Sequence, residues 1–224
     1  VSAATFTIVV TAVNDPPVFV DGATATASVA EGSTTVADYD VTDVDSGDSL
    51  TGCTAAGADS ADFVSSVVDS DTCRIEFAFT PDYEIPDDTG ANNIYNVNLI
   101  ATDAGSNADT LVLTITITDQ NDNNPEWDDA DDAVAVSVNE GSTTVGDYDA
   151  TDADSDTDAT SGSCTDGGAD AGDFTPSTVD GNTCRIAFTS APDFENAADA
   201  DTNNIYVVTL IVNDGQATDK LTLT

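Results

Sequence analysis

The side chains of this sequence that could do chemistry are carboxylates, and they recur at fixed spacings. An Asp-x-Asp pair stands at 43–45 and again at 152–154, and a Pro-Asp-aromatic-Glu string stands at 81–84 and again at 192–195. Carboxylate and amide oxygens are the ligands that calcium prefers, and the ion takes about 6–8 of them. The repeated acids therefore indicate cation binding at more than one place in the chain.

The overall charge allows two interpretations of these acids. Lys and Arg number 3 against 43 Asp and Glu, which gives a formal net charge of −40. A solvated, self-repelling surface explains most of the carboxylates, whereas the regularly spaced subset favours calcium. Such a charge argues against binding to nucleic acid or to anionic membrane surfaces. The partners that remain are cations, basic surfaces and copies of the chain held together by cations.

The residues of most other chemistries are missing. The sequence contains no histidine, and its only cationic side chains are Lys220 and two arginines. General-base and oxyanion chemistry therefore lack their usual groups. Paired carboxylates can hydrolyse glycosides, but the spacing here favours metal binding. We expect that the protein is not an enzyme.

Four cysteines stand in two pairs, each with the same separation. Disulfides Cys53–Cys73 and Cys164–Cys184 are the economical interpretation, with buried free thiols as the alternative. Disulfides imply an oxidising compartment, so an extracellular or cell-surface location is expected. No apolar run approaches the length of a membrane span, and we expect no membrane insertion of this segment.

An internal repeat sets the domain organisation. The string E-G-S-T-T-V at 31–36 returns at 140–145, and N-N-I-Y at 92–95 returns at 203–206. The predicted domains are the last strand and linker of a preceding repeat (or a donated strand) over 1–14, repeat 1 over 15–122, and repeat 2, whose last strand is incomplete, over 123–224.

The N-terminal segment resembles the end of a repeat. Residues 4–15 match residues 111–122, which hold the last predicted strand and the linker of repeat 1. The favoured explanation is that this sequence is a segment of a longer tandem array. The alternative is that residues 1–13 complete the sandwich of a neighbouring molecule by strand addition.

Alternating apolar and polar residues, rich in Val, Ile and Thr, predict an all-β chain. In repeat 1 the predicted strands cover 19–30, 35–42, 49–56, 62–68, 73–80, 93–102 and 110–118. Seven short strands in a repeat of this length are typical of an immunoglobulin-like sandwich. The predicted fold is a tandem of seven-strand Greek-key sandwiches joined end to end.

The order of the strands predicts where the acids gather. Successive antiparallel strands run up and down, so the acids that follow the first, fifth and seventh strands share the downstream end of a repeat. These are Glu31, Asp82, Glu84 and residues 119–123. The acids that follow the second and sixth strands share the upstream end of a repeat. In repeat 1 these acids are Asp43, Asp45 and Asp103, and in repeat 2 they are Asp152, Asp154 and Asp214. Head-to-tail repeats would bring the two sets together.

This constellation resembles the cadherin repeat. D-Q-N-D-N at 119–123 is similar to the linker motif of that family, and Pro125 follows it as expected. P-D-Y-E and P-D-F-E match its D-R-E position, while D-V-D and D-A-D match its D-x-D position. The insertion between P-D-Y-E and N-N-I-Y is more similar to microbial cadherin-like repeats than to animal ones. The resemblance covers nearly the whole chain.

The resemblance implies up to three calcium ions between repeats 1 and 2. The first two would bind Glu31, Asp82, Glu84, Asp119 and Asp122, with the Gln120 carbonyl and a bridging Asp154. The third would bind Asn121, Asp152, Asp154, Asp214 and the Asn123 carbonyl. A weaker upstream site would use Asn14, Asp15, Asp43, Asp45 and Asp103, because Ala12 replaces the first linker aspartate. Glu140, Asp193 and Glu195 would be half of a downstream junction.

The expected function is mechanical. Calcium would stiffen an extracellular stalk or filament of neighbouring repeats, or present an adhesive end, with homotypic association as a possible use. The alternatives are a filament subunit that donates its N-terminal strand, and a module whose loops bind glycans or another protein.

Overall fold

The structure is a computed structural model that describes residues 5–45, 47–128, 133–154 and 163–224. Within these ranges the chain is built from β-strands, with short 3₁₀ turns at Ser60–Asp62 and Ala171–Asp173. Contacts between residues divide it into two compact units, Val1–Thr118 and Asp119–Thr224. Each unit is a sandwich of two four-stranded sheets, so the predicted all-β tandem of sandwiches is confirmed.

Unit 1 follows the predicted strand pattern with one exception. Its strands are β1 (Val18–Phe19), β2 (Thr24–Ala30), β3 (Thr35–Thr42), β4 (Leu50–Ala56), β5 (Phe63–Asp69), β6 (Thr72–Phe77), β7 (Ile94–Asp103) and β8 (Ala108–Thr118). One sheet has the order β1-β3-β6-β5 and the other the order β2-β8-β7-β4.

The single first strand predicted over 19–30 is wrong, because the chain changes sheets within it. β1 pairs antiparallel with β3, whereas β2 pairs parallel with β8 in the opposite sheet. Gly22, with φ +87°, supplies the turn between them. A residue without Cβ adopts this left-handed conformation at little cost, which alternation of side chains alone does not reveal.

The core of unit 1 lies between its sheets. Along β8, Leu111, Leu113, Ile115 and Ile117 are buried while the residues between them are more exposed. The rings of Phe63 and Tyr95, from opposite sheets, meet edge to face with centroids 5.7 Å apart. Burial of each such side chain contributes roughly 1.5–3 kcal/mol, and these contacts hold the strand ends in place.

The predicted disulfides are confirmed. Cys53 of β4 is bonded to Cys73 of β6, which links the two sheets of unit 1. Cys164 and Cys184 form the equivalent bond in unit 2.

Unit 2 repeats this plan. Its strands are β9 (Glu126–Trp127), β10 (Ala133–Val134), β11 (Thr144–Thr151), β12 (Ser163–Gly167), β13 (Phe174–Thr178), β14 (Thr183–Phe188), β15 (Val208–Asn213) and β16 (Thr218–Leu223). The sheets have the orders β9-β11-β14-β13 and β10-β16-β15-β12. β16 pairs with β15 as β8 pairs with β7, but over fewer residues.

The described part of the N-terminal segment, residues 5–17, contains no strand. Its apolar side chains are exposed: Phe6 and Val10, for example, retain 88% and 90% of their accessible surface. Among the described residues, no helix has the length and apolar character needed to cross a bilayer.

Candidate metal centre

The upstream end of unit 1 holds a cluster of three carboxylates. Asp43 follows β3, Asp103 ends β7, and Asp48 lies just before β4. One oxygen of each lies within 4.8 Å of the others. The strand ends fix these positions, since β3, β4 and β7 all end or begin at this pole of the sandwich.

Asp43 holds one oxygen on the backbone and leaves the other without a partner. Its Oδ1 accepts a hydrogen bond from the Asp45 N–H at 2.8 Å. Its Oδ2 is buried and has no hydrogen-bond partner among the described residues. A buried carboxylate oxygen without a donor costs about 1–3 kcal/mol or more. A bound cation is the kind of partner that removes this cost.

Hydrogen bonds to backbone and amide groups orient the other two carboxylates. Asp103 is 2% exposed; its Oδ1 accepts from the Asn107 N–H at 2.8 Å and its Oδ2 from the Asn14 amide at 2.8 Å. Asp48 Oδ1 accepts from the Ser49 N–H at 2.9 Å. These donors fix the side chains but supply no positive charge.

Asp45 and Asp15, both predicted as ligands, lie together beside this cluster. Asp45 Oδ2 accepts a hydrogen bond from the Asp15 N–H at 2.7 Å, which ties the N-terminal segment to the sandwich. The three clustered carboxylates are those of Asp43, Asp48 and Asp103. Sequence reasoning missed Asp48 because Thr157 stands at the corresponding position of repeat 2, so self-comparison gives no signal.

The upstream end of unit 2 repeats the arrangement with buried acids. Asp152, Asp154 and Asp214 bring one oxygen each within 4.8 Å of the others, and Asp154 and Asp214 are each 3% exposed. Asp152 Oδ1 accepts from the Asp154 N–H at 3.2 Å, while Asp152 Oδ2 is buried without a partner among the described residues. Burial raises the pKa of Asp152, and the nearby charges of Asp154 and Asp214 raise it further.

The segment that opens unit 2 adds amide and carboxylate oxygens. The Asn123 N–H and side-chain amide donate to Asp154 at 3.2 and 3.0 Å. Asn121 donates its amide to the Asp214 carbonyl at 3.3 Å, and its Oδ1 is buried without a partner in the described structure. An oxygen of Asp119 lies within 4.8 Å of one of Asp154. The carboxylate of Asp119 thus lies near the upstream cluster of unit 2.

The side chains of Gln120 and Asp122 contact neighbouring residues of this segment. Gln120 donates its side-chain amide to the Asp119 carbonyl at 2.7 Å. Asp122 Oδ1 accepts from the Asn123 amide at 3.2 Å. Both residues are exposed.

The downstream end of unit 1 carries a second cluster. Oxygens of Glu31, Asp82 and Glu84 lie within 4.8 Å of one another, and Glu31 is 6% exposed. Glu31 accepts from the Tyr83 N–H at 2.6 Å, and its own N–H donates to the Thr118 carbonyl at 3.1 Å. The cluster is therefore attached to the last residue of β8.

Unit 2 has the same downstream cluster. Its carboxylate oxygens also lie within 4.8 Å of one another, and they belong to Glu140, Asp193 and Glu195. All three side chains are exposed. Glu140 accepts from the Phe194 N–H at 3.1 Å, in the place of the bond from Tyr83 to Glu31. Each unit thus has one upstream and one downstream cluster.

The two salt bridges between described residues do not involve the carboxylates of these clusters. They are Arg74–Asp38 and Arg185–Asp147, each 2.7 Å long and between β-strands. Two like charges about 4 Å apart repel by roughly 1 kcal/mol in water and roughly 4 kcal/mol at an effective dielectric constant of 20. Oxygen donors without nitrogen or sulfur suit a hard cation such as Ca²⁺, and the residues present fit that ion.

Other buried acids serve the fold. Asp59 accepts from the Asn96 N–H at 2.6 Å and the Thr89 N–H at 2.9 Å. Asp170 makes the equivalent bonds in unit 2, to Val207 and Ala200 at 2.7 and 2.8 Å. Each fixes the long loop that precedes β7 in unit 1 or β15 in unit 2, so burial of an acid does not by itself mark a metal ligand.

Comparisons with known proteins agree with this architecture. No family model matches the chain, and no curated protein matches it. Among solved structures, EC22-24 of mouse cadherin-23 superposes with a TM-score of 0.65 at 23% identity, covering 94% of this chain and 65% of that one.

Two further structures show the same fold. The extracellular domain of protocadherin gammaB4 gives a TM-score of 0.61 at 25% identity, covering 96% of this chain and 33% of that one. EC1-4 of Drosophila N-cadherin gives 0.61 at 19% identity, covering 94% of this chain and 49% of that one. The chain thus spans from a third to just under two thirds of these structures, and its fold is that of cadherin extracellular repeats.

Proposed function

We propose that this chain, whose two units have the cadherin-repeat fold, is a segment of an extracellular structural or adhesive array that calcium stiffens. The ions bind at the ends of the units and hold successive units in a fixed relation. The observation that carries the proposal is the pair Asp43 and Asp152, each with a buried oxygen that lacks a partner in the described structure.

Chain connectivity supports a shared site. Glu31 is bonded to Thr118, and Asp119 is the next residue along the chain. The chain then reaches Asn123, which is bonded to Asp154. Five residues of extended chain span at most about 18 Å. The downstream cluster of unit 1 and the upstream cluster of unit 2 are thus joined by one short segment, and ions shared between them would fix its conformation.

The donor set supports calcium over other cations. Zinc prefers cysteine and histidine; this chain has no histidine, and its four cysteines form disulfides. Mg²⁺ demands a compact octahedral shell and keeps its waters, whereas Ca²⁺ accepts many carboxylate and amide oxygens in irregular geometry. Extracellular modules bind calcium at about 10⁻⁴–10⁻³ M, so the array would be saturated only where calcium is abundant.

Calorimetric titration of Ca²⁺ into the chelator-treated chain tests the proposal. We expect saturable binding of several ions per chain, and we expect Asp152→Asn to remove at least one of them. Asp21→Asn is the matched control, because Asp21 is exposed and lies outside the clusters. Weak, unsaturating binding that Asp21→Asn and Asp152→Asn reduce equally would show that the acids act only as a charged surface.

A further inference from the structure

The strands β5 and β13 occupy the same place in their units but differ in sequence. Among the described residues β5 pairs only with β6, and β13 pairs only with β14, so each lies at an edge of its sheet. Residues 64–68 read V-S-S-V-V, whereas the corresponding residues 175–179 read T-P-S-T-V. Pro176 pairs with Ile186 as Ser65 pairs with Ile75, so Pro176 stands at the position of Ser65.

The N–H groups of Ser65 and Val67 point away from β6. Ala78 donates its N–H to the Asp62 carbonyl across the two chain segments. Residues of an antiparallel pair alternate between those that exchange hydrogen bonds and those that do not. The next even-numbered residues of β5 therefore bond to β6, while Ser65 and Val67 turn their N–H and C=O groups to the open side of the strand.

Proline at position 176 supports this assignment. Proline has no backbone N–H, so within sheets it is confined to edge strands and to positions where that N–H would face solvent. β13 keeps its pairing with β14 across Pro176, from Phe174 to Thr178. The fold therefore needs no N–H at the position of Ser65, and proline blocks in unit 2 an edge that is open in unit 1.

The open edge of β5 is apolar and uncharged. Val64, Val67 and Val68 are 53%, 37% and 45% exposed. The segment 63–68 contains no charged residue, although the chain carries a formal charge of −40. A long, exposed edge strand of this kind is a template for another strand, and natural proteins usually block it with charge or proline. Unit 2 has such a block, and β5 does not.

The charge pattern identifies the occupant of this edge. A basic strand would find no carboxylate along residues 63–68 with which to pair, so an uncharged strand fits better. β5 is itself such a strand, and two copies related by a two-fold axis present the same N–H and C=O groups to each other. We propose that β5 of one copy pairs antiparallel with β5 of a second copy, through the backbone groups of Ser65 and Val67. The sheet of order β1-β3-β6-β5 then continues from one copy into the next.

Acids at the ends of β5 oppose this pairing. In an antiparallel pair, Asp62 of one copy approaches the end of β5 that holds Asp69 of the other. Salt screens such repulsion to a range of about 8 Å at physiological ionic strength. Association is therefore expected to strengthen as the concentration of sodium chloride rises. It needs no calcium, so it is independent of the proposed function.

Sedimentation of the full chain in chelator, over a range of protein and sodium chloride concentrations, tests the proposal. We expect dimers, and we expect Ser65→Pro to raise their dissociation constant at least about tenfold, since each copy loses one N–H donor. Unit 2 shows that the strand accommodates proline at this position. Ser65→Ala is the matched control, because it keeps the N–H and removes only the hydroxyl that donates to the Cys53 carbonyl at 3.1 Å. It should dimerise like the unchanged chain.

Amide hydrogen exchange provides a second measurement that needs no substitution. As the concentration of the unchanged chain rises, the amides of Ser65 and Val67 should become protected. The amide of Thr178, at the position of Val67 in unit 2, should not. A chain that stays monomeric at every salt concentration would overturn the proposal and leave the edge to a strand of a different protein. Equal weakening by Ser65→Pro and Ser65→Ala, or dimers that leave the Ser65 and Val67 amides unprotected, would overturn it as well.

Discussion

Asp43 and Asp152 occupy the same corner of the two units, and each places one carboxylate oxygen on the backbone N–H two residues further along. The second oxygen of each is buried and has no partner among the described residues. Both repeats therefore retain the free-energy cost of a buried carboxylate oxygen that has no hydrogen-bond donor. Turn capping explains one oxygen of each side chain, and a bound cation explains the other.

The Asp152→Asn substitution should weaken calcium binding without lowering the stability of unit 2 in chelator. In chelator, Asp152→Asn removes a charge from a repelling cluster, so the variant should be as stable as the unchanged chain or more stable by about 1 kcal/mol. With calcium at ten times its dissociation constant, the unchanged chain gains about 1.4 kcal/mol per site, and the variant should lack this gain for the ion it loses.

The single tryptophan makes this measurable in unit 2 alone. Trp127 is buried in the core of that unit, and its fluorescence reports the unfolding of that unit in urea. Asp43→Asn, in unit 1, is the control that should leave the Trp127 transition in place. If Asp152→Asn lowered the stability of unit 2 in chelator, repulsion among the carboxylates of this cluster would be contradicted.

Asp48 and Asp45 should differ in their effect on calcium binding by unit 1. Asp48 belongs to the cluster with Asp43 and Asp103, whereas Asp45 accepts the Asp15 N–H. Asp48→Asn should weaken binding at this cluster several-fold. Asp45→Asn should instead raise the protease sensitivity of residues 12–16. Calorimetry and limited proteolysis on both variants test the assignment, and equal loss of calcium binding would place Asp45 among the ligands.

The sequence predicts most of the fold for a physical reason. Strands such as β7 and β8 bury alternate residues, and alternation is visible in the sequence. The sheet change at Gly22 is not visible, because it depends on backbone conformation and on the pairing of β2 with β8. Asp48 was missed because tertiary folding, and not spacing, brings it to Asp103.

Part of the candidate site can likewise be predicted from the sequence, and part cannot. Glu31, Asp82 and Glu84 are predicted together from strand order, and the structure brings their oxygens within 4.8 Å. The buried Oδ2 of Asp43, which has no partner among the described residues, could not be predicted, since it depends on how the folded chain packs around that side chain.

Removal of the Asp59 carboxylate should destabilise unit 1 in a pH-dependent way. Burial raises the pKa of Asp59, but hydrogen bonds from Asn96 and Thr89 lower it by more, so its pKa lies below the ordinary value. Its contribution is thus present above the pKa of the unfolded chain, about 3.9, and is lost as the pH falls through the lower folded-state pKa.

At pH 7, Asp59→Ala should cost about 1–3 kcal/mol, and the difference from the unchanged chain should shrink below about pH 4. Circular dichroism in urea measures it. The matched variant Asp170→Ala should shift the Trp127 transition, which Asp59→Ala should leave unchanged. A cost that stays constant down to pH 2 would show that lost packing, and not the charged acceptor, causes the effect.

The disulfides should stabilise each unit separately. Replacement of Cys164 and Cys184 by alanine should lower the free energy of unfolding reported by Trp127 by about 3 kcal/mol, as expected for a loop of this length. The same change at Cys53 and Cys73 should leave that transition in place. A shift of the Trp127 transition by the unit 1 variant would show that the two units unfold together.

Small-angle scattering of the chain, with calcium and with chelator, tests the central claim most directly, because it reports the dimensions that calcium is proposed to fix. We predict that calcium narrows the distribution of dimensions and increases the maximum dimension, as ions fix residues 119–123 between the two units. Scattering curves that coincide with and without calcium, under conditions where calorimetry shows saturation, would contradict calcium as the stiffening agent.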